Sequence, residues 1–252
     1  SSSAGVNLTG LEDLRIAGGG QFSVPALQEI LKQLQITKLT VIDLREESHG
    51  FVDGTAISWY APHDAINAGK TMMQIEQDQS ALLEKLAHEK HINIYKIQKK
   101  TKAEAIAKAA SAKYPVHSVS SEEEFVESMN MRYERIYVQD FHAPAPEQVD
   151  RFLAVVKAIP KGEWIYLHCR AGVGRTSTFM AMYDMLHHAK ELTFEEVLAR
   201  QAAIGGKDFN TLPEQGKWKY PYAVERLDFL KKFYEYARSN QDDFKTSWSE
   251  WL

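Results

Sequence analysis

The chain has 252 residues, of which 44% are hydrophobic and 25% charged, and this is the composition of an ordinary globular protein with one large domain. Its net charge of −4 excludes a global basic field that would attract nucleic acid or an anionic membrane, so an anionic ligand needs a local basic patch. A single cysteine excludes an internal disulfide framework and a cysteine-built zinc site.

The sequence carries no visible targeting segment. No uncharged apolar run reaches the roughly 18 residues that a transmembrane helix needs, so no membrane span is predicted. The first residues, "SSSAGVNLTG", have neither the charged nor the apolar part of a secretion signal, and no initiator Met precedes them. We therefore expect any export signal to have been trimmed, and a chain this poor in cysteine can function on either side of a membrane.

Three β-branched or aromatic runs have the composition of buried strands. They are "KLTVIDLR" (residues 38–45), "RIYVQD" (135–140) and "WIYLH" (164–168). Helical patterns separate and follow them, at residues 121–129, 146–159, 176–188 and 222–237, the first with the spacing of a capping box. Strands that alternate with helices predict an α/β fold with a largely parallel sheet.

In such sheets ligands bind beyond the carboxyl ends of the strands. Asp43, Asp140 and Cys169 all fall at or just past a predicted strand end. We therefore expect these three residues to share one crevice.

The stretch 52–117 departs from this alternation. "TAISWYA" and "HINIYKIQ" have strand patterns, and a polar helix lies between them at about residues 72–90. The sequence predicts a small subdomain inserted at residues 52–117 into one domain that spans residues 1–252. The basic run "KKTK" inside it is more simply a solvated surface segment.

The stretch "HCRAGVGRT" follows a predicted strand and opens a predicted helix. Its small residues let successive backbone N–H groups point inward as an anion-binding nest, and the helix adds its unpaired N–H groups. A cysteine at that position has its thiolate favoured and its pKa lowered. Arg175 can hold two oxygens of an anion, and Thr176 can donate to the sulfur. The anion that fits is a phosphate, and the chemistry is attack by sulfur on phosphorus.

Cys-x5-Arg followed by Thr, with His168 before the cysteine, resembles the signature of the protein-tyrosine-phosphatase-like (PTP-like) superfamily. The alternative is a buried structural cysteine, which describes most lone cysteines. The resemblance implies Cys169 as nucleophile, Arg175 as phosphate ligand and an upstream aspartate as general acid. Asp140, at a strand end before "FHAPAP", matches that position; the alternative is that it only caps a loop. The residues of the implied phosphate-binding loop are Arg170, Ala171, Gly172, Val173, Gly174 and Arg175.

Further motifs restrict the resemblance to one family within this superfamily. "GGQFS", "DLREESHGF", "SWYA", "RQAAIGG" and the tail "SWSEWL" resemble the bacterial PTP-like phytases, which are cysteine-dependent inositol polyphosphate phosphatases. The resemblance runs nearly end to end. It implies a PTP-like core with a central, mostly parallel sheet flanked by helices, and a small partial β-barrel that would account for the insertion. It further implies an inositol polyphosphate substrate, no cofactor or metal, and a secreted, periplasmic or effector protein of bacteria.

An inositol polyphosphate requires a basic rim around the pocket. The family often has a His directly after the general acid; here Phe141 stands there, and His142 either substitutes or a phosphate contact is lost. The family places lysines after "IGG", and Lys207, Lys217 and Lys219 are the matching candidates, with solvated surface lysines as the alternative. Arg170 adds positive charge to the pocket or faces solvent.

Several residues are predicted to support the loop and not to react. Arg45, Glu47 and His49 either surround the phosphate or form a hydrogen-bonded support behind it, and the second role is favoured for Arg45 and Glu47. His168 is predicted to donate to backbone behind the sulfur, and Gln201 to orient water in a second step.

Four rival functions share these residues. A protein tyrosine or dual-specificity phosphatase uses the same loop, and a phosphoinositide phosphatase often has Lys where this loop has Ala171 and Val173. An inactive phosphate-binding module would not need Cys169, Arg175 and Asp140 together. An arsenate reductase needs resolving cysteines, and this chain has one cysteine in all.

Overall fold

The structure, a computed structural model, describes residues 5–95 and 111–252. The strands are β1 (Ile16–Gly19), β2 (Leu39–Arg45), β3 (His49–Val52), β4 (Thr55–Ser58), β5 (His91–Tyr95), β6 (Ser111–Pro115), β7 (Val119–Ser120), β8 (Arg132–Val138) and β9 (Trp164–His168). The α-helices are α1 (Val24–Leu34), α2 (Met72–Ala87), α3 (Glu122–Ser128), α4 (Pro146–Ala158), α5 (Gly174–His188), α6 (Phe194–Ala203), α7 (Tyr220–Ser239) and α8 (Trp248–Trp251).

The chain forms two compact units. The described residues of the first lie within Ser1–Gln21, Lys38–Arg45 and Glu134–Leu252, and those of the second within Phe22–Thr37 and Glu46–Tyr133. The run "KKTK" lies outside the described residues.

The sheet of the first unit has the order β1-β9-β2-β8. The pairs of β9 with β1 and with β2 are both parallel, and the register places Asp43 beside His168. All seven residues of β2 are buried, as expected for a strand covered on both faces. The predicted α/β fold with a mostly parallel sheet is therefore confirmed.

Helix α5 lies at the centre of the first unit. It packs against β1, β9, α6 and α7, and buried residues lie on every side of it. Phe152 of α4 meets Phe179 of α5 edge to face, with ring centroids 5.0 Å apart. A helix covered on all sides has a fixed position, so the loop that precedes α5 is held on a rigid support.

The ends of the helices follow from local chemistry. The predicted capping box at Ser121 and Glu124 forms, and the same reciprocal pattern opens α6 at Thr193 and α8 at Ser247. Pro146 occupies the first turn of α4, where a missing N–H costs nothing. Helix α5 differs, because no side chain caps its first turn. Its first N–H groups are thus left for another acceptor.

The second unit contains α1, α2 and α3 with two small sheets. Strand β3 pairs antiparallel with β4 and with β7, and β5 pairs antiparallel with β6. Phe51 stacks on Phe22 and meets Phe125 edge to face, which forms the aromatic centre of this unit. The strands and the polar helix predicted within 52–117 are present as β4, α2 and β5. Residues 96–98 of the second predicted strand lie outside the described residues. The partial β-barrel at residues 52–117 stays a prediction.

Across the described part of the chain, every helix is too short or too polar to span a bilayer.

Candidate active site

The loop from Cys169 to Val173 connects the carboxyl end of β9 to the start of α5. The Gln21 N–H donates to the Arg170 carbonyl at 3.0 Å, which fastens the loop to the end of β1. Gly172 has φ +73°, and a Cβ there would lie 2.4 Å from backbone atoms of Gly19 and Gly20. Only glycine satisfies both conditions, so this position fixes the tight curl of the loop.

The Cys169 thiol is 3% exposed and faces several hydrogen-bond donors. The Thr176 hydroxyl lies 3.2 Å from Sγ and also 3.1 Å from the Gly19 carbonyl. Burial alone raises the pKa of Cys169, but the charge of Arg175 and hydrogen bonds from Thr176 and the Gly172 N–H outweigh it. The net pKa of the thiol lies below its ordinary value, which favours the nucleophilic thiolate.

Arg175 is buried in the first turn of α5, and backbone carbonyls of other elements hold its guanidinium in place. Nη1 donates to the Val138 carbonyl at 3.0 Å and approaches the Leu44 carbonyl at 3.5 Å. These carbonyls lie at the ends of β8 and β2, so two strands orient the side chain. Nε lies 3.4 Å from Oδ1 of Asp140.

Asp140 follows β8 by two residues and is partly exposed. Its Oδ1 accepts the N–H of Phe141 at 2.8 Å. Phe141 has φ +70°, a left-handed conformation that a residue with a side chain rarely adopts. The structure thus brings together Asp140, Cys169 and Arg175, as the sequence predicts.

Asp43 does not share this crevice, contrary to the prediction. Strand β2 continues to Arg45, so Asp43 is an interior strand residue and is fully buried. Its Oδ1 accepts the Arg45 N–H at 2.9 Å, and it lies 3.8 Å from Nε2 of His168 and 3.9 Å from Nε of Arg135. The predicted strand, residues 38–45, agrees with β2, and Asp43 lies two residues before its end.

The predicted supporting residues are all buried. His168 Nδ1 donates to the Cys169 carbonyl at 3.2 Å, and Arg45 Nη1 donates to the Gln21 side chain at 2.7 Å. Glu47 and His49 belong to the second unit, where His49 Nδ1 donates to the Glu47 carbonyl at 2.7 Å. Their part in supporting the loop stays a prediction.

Gln201 lies on α6, and its Nε2 donates to Asp184 at 2.9 Å. Asp184 also pairs with Arg200, and all three residues are buried. The amide thus has a partner within the core, and its role toward water stays a prediction.

The candidate substrate-binding residues separate into two groups. Lys207 is half-buried, and burial together with the positive charges of Arg226 and Lys219 lowers its pKa. The Lys219 ammonium lies 5.3 Å from the ring centre of Phe141. These three cations therefore cluster beside the segment that follows Asp140.

The other two candidates, Lys217 and His142, have different contacts. Lys217 is exposed and pairs with Glu214 at 3.5 Å. His142 Nδ1 lies 3.7 Å from Glu225, and its ring packs on Tyr222 with centroids 4.7 Å apart. His142 is directed at α7, and its predicted contact with a phosphate stays a prediction.

Sequence reasoning missed Arg135 and Arg226, which are both buried. Arginine in an amphipathic pattern is ordinarily read as a surface residue. A signal for Arg226 was present, because it shares a helical face with Leu230, Phe233 and Ala237 at intervals of four, three and four residues. Those three residues are buried as well.

A low-pKa thiol in a glycine-bearing nest, closed by an arginine and faced by a carboxylate, defines a member of the Cys-x5-Arg phosphatase superfamily. The model of the PTP-like phytase family, described by the words "Inositol hexakisphosphate", matches residues 42–187. This is more than half of the chain, and the chain therefore belongs to the PTP-like phytase family.

Solved structures agree with this assignment. The PTP-like myo-inositol phosphatase from Mitsuokella multacida, in complex with myo-inositol-(1,3,4,5)-tetrakisphosphate, is 32% identical with a TM-score of 0.91. The match covers 100% of this chain and 43% of that one. A PTP-like phytase from Bdellovibrio bacteriovorus is 34% identical with a TM-score of 0.78, over 94% of this chain and 85% of that one.

A curated relative is the effector protein hopD2 of Pseudomonas syringae pv. tomato. It is 32% identical over 255 residues, which cover 98% of this chain and 53% of hopD2. The chain thus spans about half the length of this effector and less than half of the Mitsuokella protein.

Proposed function

We propose that this chain is a cysteine-dependent phosphatase that hydrolyses phosphate monoesters of inositol polyphosphates through a cysteinyl-phosphate intermediate. The observation that carries the proposal is the Cys169 thiol, whose pKa is lowered by Arg175 and by N–H and hydroxyl donors of its own loop. Those donors are fixed before substrate arrives, so they stabilise transition-state charge without reorganising.

In the first step the Cys169 thiolate attacks phosphorus in line with the ester oxygen. The S–P bond forms as the P–O bond breaks, and the Asp140 carboxyl gives its proton to the leaving oxygen, which departs as an alcohol. Arg175 and the N–H groups of the loop hold the equatorial oxygens, which carry most of the charge in a loose transition state.

In the second step water attacks the phosphorus of the cysteinyl phosphate. The Asp140 carboxylate accepts the proton of that water, the S–P bond breaks, and inorganic phosphate leaves with the thiolate restored. One aspartate thus acts first as acid and then as base, which returns the enzyme to its starting state.

The proposed substrate class rests on charge. Burial lowers the pKa of Lys207, and Arg226 and Lys219 lie close enough for their charges to lower it further. A ligand with several phosphates relieves this repulsion and gains more from the cluster than a single phosphate does. The family assignment and the inositol tetrakisphosphate bound by the Mitsuokella protein support the same class.

A second candidate substrate is a phosphotyrosine peptide. Val173, within the phosphate-binding loop, is 50% exposed, and Trp218 is 42% exposed. Exposed apolar side chains at the rim suit an aromatic or peptidic ester better than a polyhydroxylated ring, because contact with such an ester removes apolar surface from water.

The deciding experiment measures phosphate release from inositol hexakisphosphate and from a phosphotyrosine peptide at matched concentrations, with Cys169→Ser as the control. We expect a higher kcat/KM on the inositol phosphate and no release by the serine variant, which should still bind substrate. A preference for the peptide would replace inositol polyphosphates by phosphotyrosine peptides as the substrate class and would leave the proposed mechanism unchanged. Turnover by Cys169→Ser would refute the mechanism itself.

A further inference from the structure

The segment after the general acid docks on the first turns of α7. The Ala143 N–H donates to Oε1 of Glu225 at 3.3 Å, and the His142 carbonyl accepts from Nε of Arg226 at 3.1 Å. The His142 ring packs on Tyr222. Residues 140–143, here called the acid loop, are thus held to α7 by two hydrogen bonds and a ring contact.

The acid loop needs such support. Phe141 adopts φ +70°, which persists in a residue with a side chain only where the surroundings impose it. Its ring meets Trp218 edge to face, with centroids 4.8 Å apart. The strained residue directly follows Asp140, so a change in its backbone would move the carboxyl group.

Among the residues of α7 that contact the acid loop, Arg226 has the most unusual environment. It is 5% exposed, and no carboxylate among the described residues lies within 4 Å of its guanidinium. Its Nη2 is buried and makes no hydrogen bond within the described part of the chain. Burial lowers its pKa to about 10, and the charge of Asp140 opposes that shift. The group is therefore still protonated at neutral pH, and a buried cation without an ion-pair partner is costly to maintain.

The guanidinium also touches the phosphate-binding loop. A Cβ added to Gly174 would lie 2.3 Å from Nη1 of Arg226, so the glycine leaves the space that the guanidinium fills. Nε of the same side chain bonds the acid loop. One arginine of α7 thus contacts both loops.

We propose that Arg226 is a positioning residue that holds the acid loop in place against the phosphate-binding loop, so that the Asp140 carboxyl stays over the leaving oxygen. The inference rests on the general-acid role of Asp140 given under the proposed function. Arg226 acts through the loop backbone and need not touch the substrate.

The test is a series of aryl phosphates whose phenols differ in acidity. A poor leaving group, such as phenol with a tyrosine-like pKa of about 10, needs a proton from Asp140, whereas the far more acidic 4-nitrophenol departs without one. We expect Arg226→Gln to lower kcat/KM on phenyl phosphate roughly ten- to a hundredfold, with a much smaller loss on 4-nitrophenyl phosphate.

Two variants calibrate the series. Asp140→Asn, which removes the acid itself, should show the same dependence on the leaving group in a steeper form. Lys231→Gln removes an exposed cation of the same helix and should follow the wild-type line. Where Arg226→Gln does not fold, Arg226→Lys keeps the buried charge, removes the guanidinium contacts and should give the same selective loss.

An equal loss on all esters would overturn the proposal, because it would assign Arg226 to phosphate binding or to general stability. An unchanged series would overturn it as well. The proposed function fails differently: a flat series for Asp140→Asn would refute the general acid, and wild-type protein inactive on inositol hexakisphosphate would refute the substrate class while leaving the aryl series interpretable.

Discussion

At the scale of single residues, the pKa of Cys169 depends on a balance between burial on one side and the Arg175 charge and hydrogen bonding on the other. Burial opposes ionisation, and the Arg175 charge and the Thr176 donors reverse that effect. Because the folded pKa lies below the unfolded value of about 8.5, ionisation of this thiol stabilises the fold above that value. The contribution is lost as the pH falls through the folded pKa.

We predict that Thr176→Val raises the thiol pKa by about one to two units, since a hydrogen bond to a charged group contributes about 1.5–3 kcal/mol. The ultraviolet absorbance of the thiolate, recorded as a function of pH with Cys169→Ser as the blank, measures the pKa of Cys169 directly, because the chain has one cysteine. Thr176→Ser retains the hydroxyl and should titrate like the wild type. Identical titrations for the valine and serine variants would show that the N–H groups and Arg175 suffice.

At the scale of elements, a buried ion pair joins α5 to α6. Asp184 of α5 accepts from Nε of Arg200 at 2.7 Å, and the same guanidinium donates a second bond to it. Nη1 of Arg200 donates to the Thr9 carbonyl at 2.9 Å. Three segments of the first unit therefore depend on one charge pair, and one of them is the helix that follows the phosphate-binding loop.

We predict that Asp184→Asn destabilises the fold by about 3–5 kcal/mol, because it leaves the buried Arg200 without a counter-charge. The control is Asp228→Asn, which makes the same chemical change at an exposed aspartate paired with Lys231 at 3.9 Å. Its cost should stay within about 0.5 kcal/mol. Urea unfolding followed by fluorescence compares the two; equal midpoints would mean that the buried pair contributes no more than the exposed one.

Elements whose local chemistry agrees with the fold could be predicted from the sequence. Strand β9 is a continuous apolar run that ends in a glycine-bearing loop, and α3 begins at a capping box. Strand β1 was not predicted, because Ile-Ala-Gly-Gly has little intrinsic preference for a strand. Its glycines serve close packing: a Cβ on Gly18 would lie 2.9 Å from Thr176, and one on Gly19 would lie 2.2 Å from the Tyr166 hydroxyl.

The same distinction applies to the site. We could propose Cys169, Arg175 and Asp140 as nucleophile, phosphate ligand and general acid from the sequence, because that chemistry requires those residue types at that spacing. Arg135 and Arg226 are harder to predict. The spacing of Arg226 indicates a buried helical face, but the contacts that both side chains make depend on the packed chain. Their side chains reach backbone carbonyls 90 and 84 residues away in sequence, a separation that no local pattern encodes.

At the scale of the whole molecule, the chain is acidic while the proposed site is basic. The net charge of −4 repels a polyanion at long range, and we propose that Lys207 and Lys219 attract it at short range. Salt screens charges over about 10 Å at 0.1 M, and its effect on a ligand grows with the number of charges that the ligand carries. The balance between repulsion and attraction therefore differs between a monophosphate and a polyphosphate.

We predict that raising NaCl from 50 to 200 mM increases KM for inositol hexakisphosphate severalfold and changes KM for 4-nitrophenyl phosphate much less. Lys207→Gln should reduce this salt dependence for the inositol phosphate, because it removes one of the clustered charges. Lys231→Gln, which removes one exposed charge elsewhere on the surface, should leave the dependence as it is in the wild type. Steady-state assays at fixed pH give the KM values of the wild type and of both variants at the two salt concentrations. A salt dependence that is equal for both substrates would contradict the basic cluster as the source of polyphosphate binding, since a single phosphate would then gain as much from it as six.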